Sequence, residues 1–251
     1  MSISEKLTVI AENTQKVYDA AKNSQNNELW KAITANGTRT NYSSAFQLQQ
    51  WDKNSFIPTY DITPTNASSM FRFIGPGSNE LQVDMEELEK TQGIKFDFSN
   101  CTVFEYAFAG GLFSVLNVID MSLSASSNSY VFYGAYSGRR LKKINRLILG
   151  ENTKPHSTWF GYADQLTHIG FEGVLANNGL DISTCPKIDK ESIISLVNIL
   201  SETTSGLTIT LRKSAVNNAF GIDIDDETTY PEGSEFYNLR NSKSNWTINY
   251  T

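Results

Sequence analysis

The side chains of this chain that could do chemistry are few. Two histidines, His156 in TKPHS and His168 in LTHIG, are its only imidazoles. Neither has a partner at the spacing of a metal site or a nucleophile–base pair, so both read as surface residues. Cys101 in FDFSNC and Cys185 in LDISTC occupy the same slot of similar segments. Three strand spacings of about 4.8 Å would put them on the order of 14 Å apart, beyond the reach of a disulfide. They read as small buried fillers, not as a bridge, a zinc pair or a catalytic thiol. The acidic run DIDDE (223–227) offers hard oxygen ligands, but it lacks the glycine-containing loop of a calcium hand and reads as a solvated loop. Phosphate-binding loops, dinucleotide fingerprints, nucleophile elbows and H-E-x-x-H zinc motifs are absent. Acidic pairs for glycoside hydrolysis can be drawn anywhere among 27 Asp and Glu, and only a fold would set their separation. The expectation is a non-enzymatic protein with no cofactor and no metal.

Recognition chemistry is better represented. The stretch YVFYGAYSGRRLKK (130–143) interleaves Tyr130, Tyr133 and Tyr136 with Arg139 and Arg140, and STWFGYADQ (157–165) adds Trp159 and Tyr162. Aromatics mixed with arginine make interface hot spots, and flat rings also stack on sugars. Tyr133 and one of Trp159 and Phe160 are expected in the core. Tyr136, Arg139, Arg140 and Tyr162 are the expected ligand-binding residues.

These residues need elements to hold them, and the chain repeats itself. Leu-x-x-Ile steps fall at Leu116/Ile119, Leu141/Ile144 and Leu166/Ile169, about 25 residues apart. FDFSNCT (96–102) and MSLSASS (121–127) recur at the same step, LILG (147–150) is a slipped third copy, and LDISTC (180–185) is a fourth. An aromatic sits between: Phe108, then Phe132 and Tyr133, then Trp159 and Phe160. The expected unit is a strand, a corner, an aromatic on a short helical turn, and Leu-x-x-Ile leading into the next strand. The expected fold is an α/β leucine-rich-repeat solenoid over 96–189, stacking Leu on Leu, Ile on Ile and Phe on Phe.

The ends differ from the middle. Residues 1–33 read as a helical segment in which Ile3, Leu7, Ile10, Thr14, Val17 and Ala21 keep heptad spacing. That spacing serves homo-oligomerisation through Ile3, Leu7, Ile10 and Val17, or packing of an amphipathic helix on its own chain. Residues 34–95 read as an N-terminal cap, with Trp51, Phe56 and Tyr60 as internal anchors and DMEELEKTQGI (84–94) as a helix. Residues 190–251 read as a C-terminal cap: a helix N-capped by Asp189 that buries Ile193, Leu196, Val197 and Leu200, a strand LTITL, a helix SAVNNAF, a helix over SEFYNLRNSKSNW and a strand WTINY.

A net charge of −6 and a pI near 5.0 argue against nucleic-acid binding. No apolar run reaches the ~20 residues of a membrane helix, and MSISEKLTVIAENTQ does not read as a signal peptide. The sequons at Asn36, Asn41, Asn66 and Asn245 carry no weight in so Asn-rich a chain. FDFSNCTVFEYAF, LKKINRLIL and LTHIGFEGVL resemble divergent leucine-rich repeats of the BspA type. The opening ISEKLTVIAENTQKVYDAAK and the closing DKESIISLVNILSETTSGLTITLRKSAVNNAFGID…WTINY are similar to the ends of such proteins in Firmicutes and their prophages, often beside tail genes. The resemblance implies a binding scaffold, a phage tail tip, fibre or accessory protein. It would recognise a protein or cell-surface glycan of a bacterium, or another virion protein, and act in the virion or outside the cell after lysis. A bacterial interaction or adhesion protein unconnected with virions, and a carbohydrate-active enzyme on the same scaffold, are the alternatives.

Overall fold

Local signals set the first helix. Asp84 is extended (φ −97°) and its carboxylate accepts the amide N–H of Glu87, so α1 (Met85–Gln92) begins there with Glu86 and Glu87 in its positive first turn. Gly93, at φ +65°, ends it by donating its N–H to the Glu89 carbonyl. In this computed structural model the described residues are 41–45, 61–72, 83–110, 113–134, 141–224 and 231–251. The expected heptad residues Ile3, Leu7, Ile10 and Val17, and the anchors Trp51, Phe56 and Tyr60, lie outside them.

Four parallel strands stand side by side in chain order: β1 (Val83–Asp84), β2 (Phe113–Asp120), β3 (Lys143–Leu149) and β4 (His168–Gly173). Next come α2 (Lys190–Asn198), β5 (Leu207–Leu211), α3 (Lys213–Phe220), α4 (Glu235–Asn241) and β6 (Trp246–Tyr250), the last pairing in parallel with β5. Asp189 caps α2 by accepting the Ser192 N–H, and the helix buries Ile193, Leu196 and Val197. Ser234 caps α4 by accepting the Tyr237 N–H; this helix ends at Asn241, short of the Ser242–Trp246 stretch expected to continue it.

The expected leucine-rich-repeat solenoid is corrected. The described residues form a small α/β protein with a four-stranded parallel sheet, a two-stranded sheet and four helices. No helix joins β2 to β3 or β3 to β4 among the described residues. The 25-residue step holds between β3 and β4, where Ile144 pairs with Ile169, and fails between β2 and β3. Leu116 lies opposite Ile144, not Leu141, and Ile119 opposite Leu147. The same offset brings Asn145 beside Asn117, 28 residues earlier. Leu141 and Leu166 precede their strands. Of the segments expected as strands, LILG supplies the end of β3, but the others close turns instead: Asp97, Asp120 and Asp181 each accept the N–H of the serine two residues on, at 3.0, 2.9 and 2.8 Å. Such Asx-turns offer the backbone an alternative to a ladder.

Aromatic rings bind the turns between strands. Phe71, Phe108, Phe132 and Phe160 form a stacked column with centroids 5.8, 5.8 and 5.1 Å apart, and Trp159 meets Phe132 edge-on. Trp159 and Phe160 are both buried, against the expectation of one, while Tyr133 is not in the core. The Trp159 indole donates to the Asn128 carbonyl at 2.5 Å, and the Asn128 amide oxygen accepts the Phe104 N–H at 2.8 Å. Cys101 and Cys185 are buried free thiols; burial pushes them up to about 11 and about 12, so neither is a thiolate at neutral pH.

Gly173 closes β4 at φ +89°, and a Cβ there would lie 2.0 Å from the Leu149 carbonyl oxygen. Gly173→Ala therefore combines left-handed strain with a backbone clash and is expected to cost on the order of 2–4 kcal/mol, read as a lowered urea midpoint. An unchanged midpoint would contradict this β3–β4 geometry.

Candidate functional site

Four tyrosines lie in one row outside the phenylalanine column. Tyr106 and Tyr130 stack at 4.8 Å with planes 14° apart, Tyr133 meets Tyr130 edge-to-face at 5.0 Å, and Tyr162 meets Tyr133 at 5.4 Å. The Arg72 guanidinium caps the row 4.2 Å above the Tyr106 ring. Tyr162 is 53 % exposed, among the most exposed large hydrophobics of the described residues, with Leu123 and Val174. Three of the four hold a left-handed backbone: Tyr106, Tyr130 and Tyr162 have φ of 56°, 57° and 59°. For bulky residues this conformation costs about 1–3 kcal/mol each and is kept where surrounding structure enforces it. Glycine makes the room: a Cβ at Gly161 would fall 2.6 Å from the Tyr133 ring.

Of the expected ligand-binding residues, only Tyr162 is described; Tyr136, Arg139 and Arg140 fall within 135–140, outside the described residues. Tyr106 and Arg72 were not singled out in the sequence. Tyr106 sits in FEYAF amid buried aromatics, and its outward aim comes from the left-handed turn.

A second polar cluster lies where α1 meets the sheet. The Asn117 amide donates to Glu89, and the Asn145 amide donates to Glu86 at 2.9 Å and to the Asn117 oxygen at 3.1 Å. Asn145 Oδ1 is buried with no hydrogen-bond partner among the described residues. Glu89 also accepts the Phe96 N–H at 3.0 Å, so α1 is tied to the turn that follows it. The Lys90 ammonium and the Asn145 amide, both hydrogen-bonded to Glu86, hold its carboxyl below the usual range. Beside this cluster Arg146 donates twice to Glu172, both at 2.6 Å, which lowers the Glu172 carboxyl.

The histidines are corrected in part. His168 has a partner after all: its Nδ1 lies 2.7 Å from Asp189. The Ser192 hydroxyl donates to the other Asp189 oxygen and accepts the Ile169 N–H at 2.8 Å. In an acyl-transfer triad the imidazole stands between hydroxyl and carboxylate. Here the carboxylate stands between, so the imidazole meets Asp189 and not the hydroxyl, and Ser192 is fully buried. The cluster instead locks the start of α2 onto β4. His156 Nδ1 pairs with the Thr158 hydroxyl at 2.8 Å. No group of three or more His, Cys, Asp or Glu poised for a metal occurs among the described residues; Asp223 accepts from Asn217, and Asp225 to Glu227 lie outside them.

Partial burial pushes the Asp189 carboxyl up, but hydrogen bonds from the Ser192 hydroxyl, His168 and the Ser192 N–H outweigh it and hold it below 3.8. A depressed carboxyl contributes stability at pH above its ordinary value, lost as pH falls through the folded one. Asp189→Ala is expected to cost about 1 kcal/mol at pH 7, mostly the lost cap. The gap from the parent should narrow in urea titrations below pH 3.8; a gap that widened there would contradict the assignment.

Among the described residues no helix is long and apolar enough to cross a membrane. Compared with protein-family models, curated proteins and solved structures, the chain matches none.

Proposed function

We propose that the chain is a non-enzymatic binding protein whose tyrosine row docks on another protein, and that it serves a phage tail as a tip, fibre or accessory component. The observation that carries the reading is the row itself, with three bulky residues held in a strained backbone along one line. Strain of that kind is kept at functional sites, and tyrosine and arginine are what hot spots are made of. A protein fits better than a glycan. Arg72 and Tyr130 pack on Tyr106, so the row offers ring edges and phenol oxygens more than open faces for a sugar to stack on.

The tail setting rests on the resemblance read in the two end segments; the solenoid that the repeat segments implied is withdrawn. Partners would be a protein of a bacterial surface or of the virion, and the protein would act in the virion or outside the cell after lysis. The test is sedimentation of the intact chain with Firmicutes cells, protease-treated and untreated, and with purified tail particles. Binding to tail particles, or to cells with loss on protease treatment, is expected. No binding to either overturns the reading.

A further inference from the structure

We infer a second binding site, for a neutral saccharide, in the cleft between the turn after α1 and the outer face of β2 and β3. The cleft holds about 340 Å³, within the range of small-molecule sites. It shares no residue with the tyrosine row. Its lining combines acceptors and donors: Glu89, Asp97 and Asp120 bring carboxylates, Lys95 and Arg146 bring cations, and Asn117 brings an amide, with Lys95 3.8 Å from Asp97. These groups are already oriented. Asp120 accepts the Ser122 N–H at 2.9 Å, Arg146 is forked onto Glu172, and Asn117 is fixed between Glu89 and Asn145. Held side chains lose little freedom when a ligand arrives.

The chemistry selects the ligand class. Three carboxylates against two cations disfavour an anion, and Arg146 already spends its fork on Glu172. Half-buried Val118 supplies an apolar patch among the polar groups. A sugar ring, with hydroxyls on its rim and C–H groups on one face, matches that mixture; a fully apolar ligand would leave the carboxylates unpaired.

Saturation-transfer NMR on the intact chain with glucose, galactose and N-acetylglucosamine tests the site without cells or virions, so its failure leaves the reading of the tyrosine row untouched. Asp120→Asn keeps the turn, since asparagine caps it equally well, and Val118→Arg fills the cleft. Transfer to at least one sugar is expected. Affinity should fall about ten-fold in Asp120→Asn, which loses a hydrogen bond to charge, and more in Val118→Arg. It should be unchanged in Tyr162→Ala. No transfer to any of the three sugars overturns the proposal. So does transfer that survives in both cleft variants, including transfer lost only in Tyr162→Ala.

Discussion

Phe132→Ala is expected to destabilise the protein by about 3–5 kcal/mol, a large share of the ~5–15 kcal/mol of a typical domain. Phe132 is buried and stacks on Phe108 and Phe160 while Trp159 packs edge-on against it. Truncation removes its transfer free energy and opens a cavity that its neighbours cannot fill: Phe108 is stacked on Phe71, and Trp159 is fixed by its bond to Asn128. The damage should reach the row, because Tyr130 and Tyr133 flank Phe132 in the same turn. Phe132→Leu keeps most of the volume and should cost under about 2 kcal/mol. Urea titrations of the two variants check the difference. A Phe132→Ala midpoint within error of the parent would mean that the column does not hold the turns together.

Tyr162→Ala is expected to do the reverse, leaving the fold and removing the function. The ring is 53 % exposed at the end of the row, so its loss should move stability by no more than about 1 kcal/mol. As an interface hot spot it should cost at least about 2 kcal/mol of binding, roughly 30-fold in Kd. Tyr162→Phe separates ring from hydroxyl. Most of the affinity retained there assigns the contact to the ring edge; most of it lost assigns it to the phenol oxygen. An affinity unchanged in Tyr162→Ala would remove this end of the row from the interface.

What the sequence made legible was local. Asp189 caps α2 as its sequence indicates, accepting the N–H three residues on, whereas the equally local D-x-S turns at 97 and 181 sit in segments that read as strands. Register was not local. Leu141-Lys-Lys-Ile144 and Ile144-Asn-Arg-Leu147 both satisfy apolar-x-x-apolar, and spacing favoured the first. Between β2 and β3 the second is used, and it sets Asn145 beside Asn117 and within reach of Glu86, 59 residues away; between β3 and β4 the expected pairing of Ile144 with Ile169 is kept. The recurring asparagine of LNVI and INRL was the overlooked signal.

The site was legible in part. Tyr162 was found from an aromatic-rich stretch, but Tyr133 was expected in the core, since composition does not tell which face of a turn a ring takes. Left-handed Tyr130 and the bare backbone of Gly161 decide that. His168 looked unpartnered because Asp189 reaches it only once α2 lies on β4.

Hydroxyl-radical footprinting of the chain, free and bound to the cell-surface or virion preparation that retains it, tests the docking row most directly. Leu123 and Val174, the other exposed large hydrophobics among the described residues, serve as internal references. The account predicts that Tyr162 and Tyr133 become protected while Leu123 and Val174 keep their reactivity. Protection of Leu123 or Val174 with Tyr162 still fully reactive would contradict it.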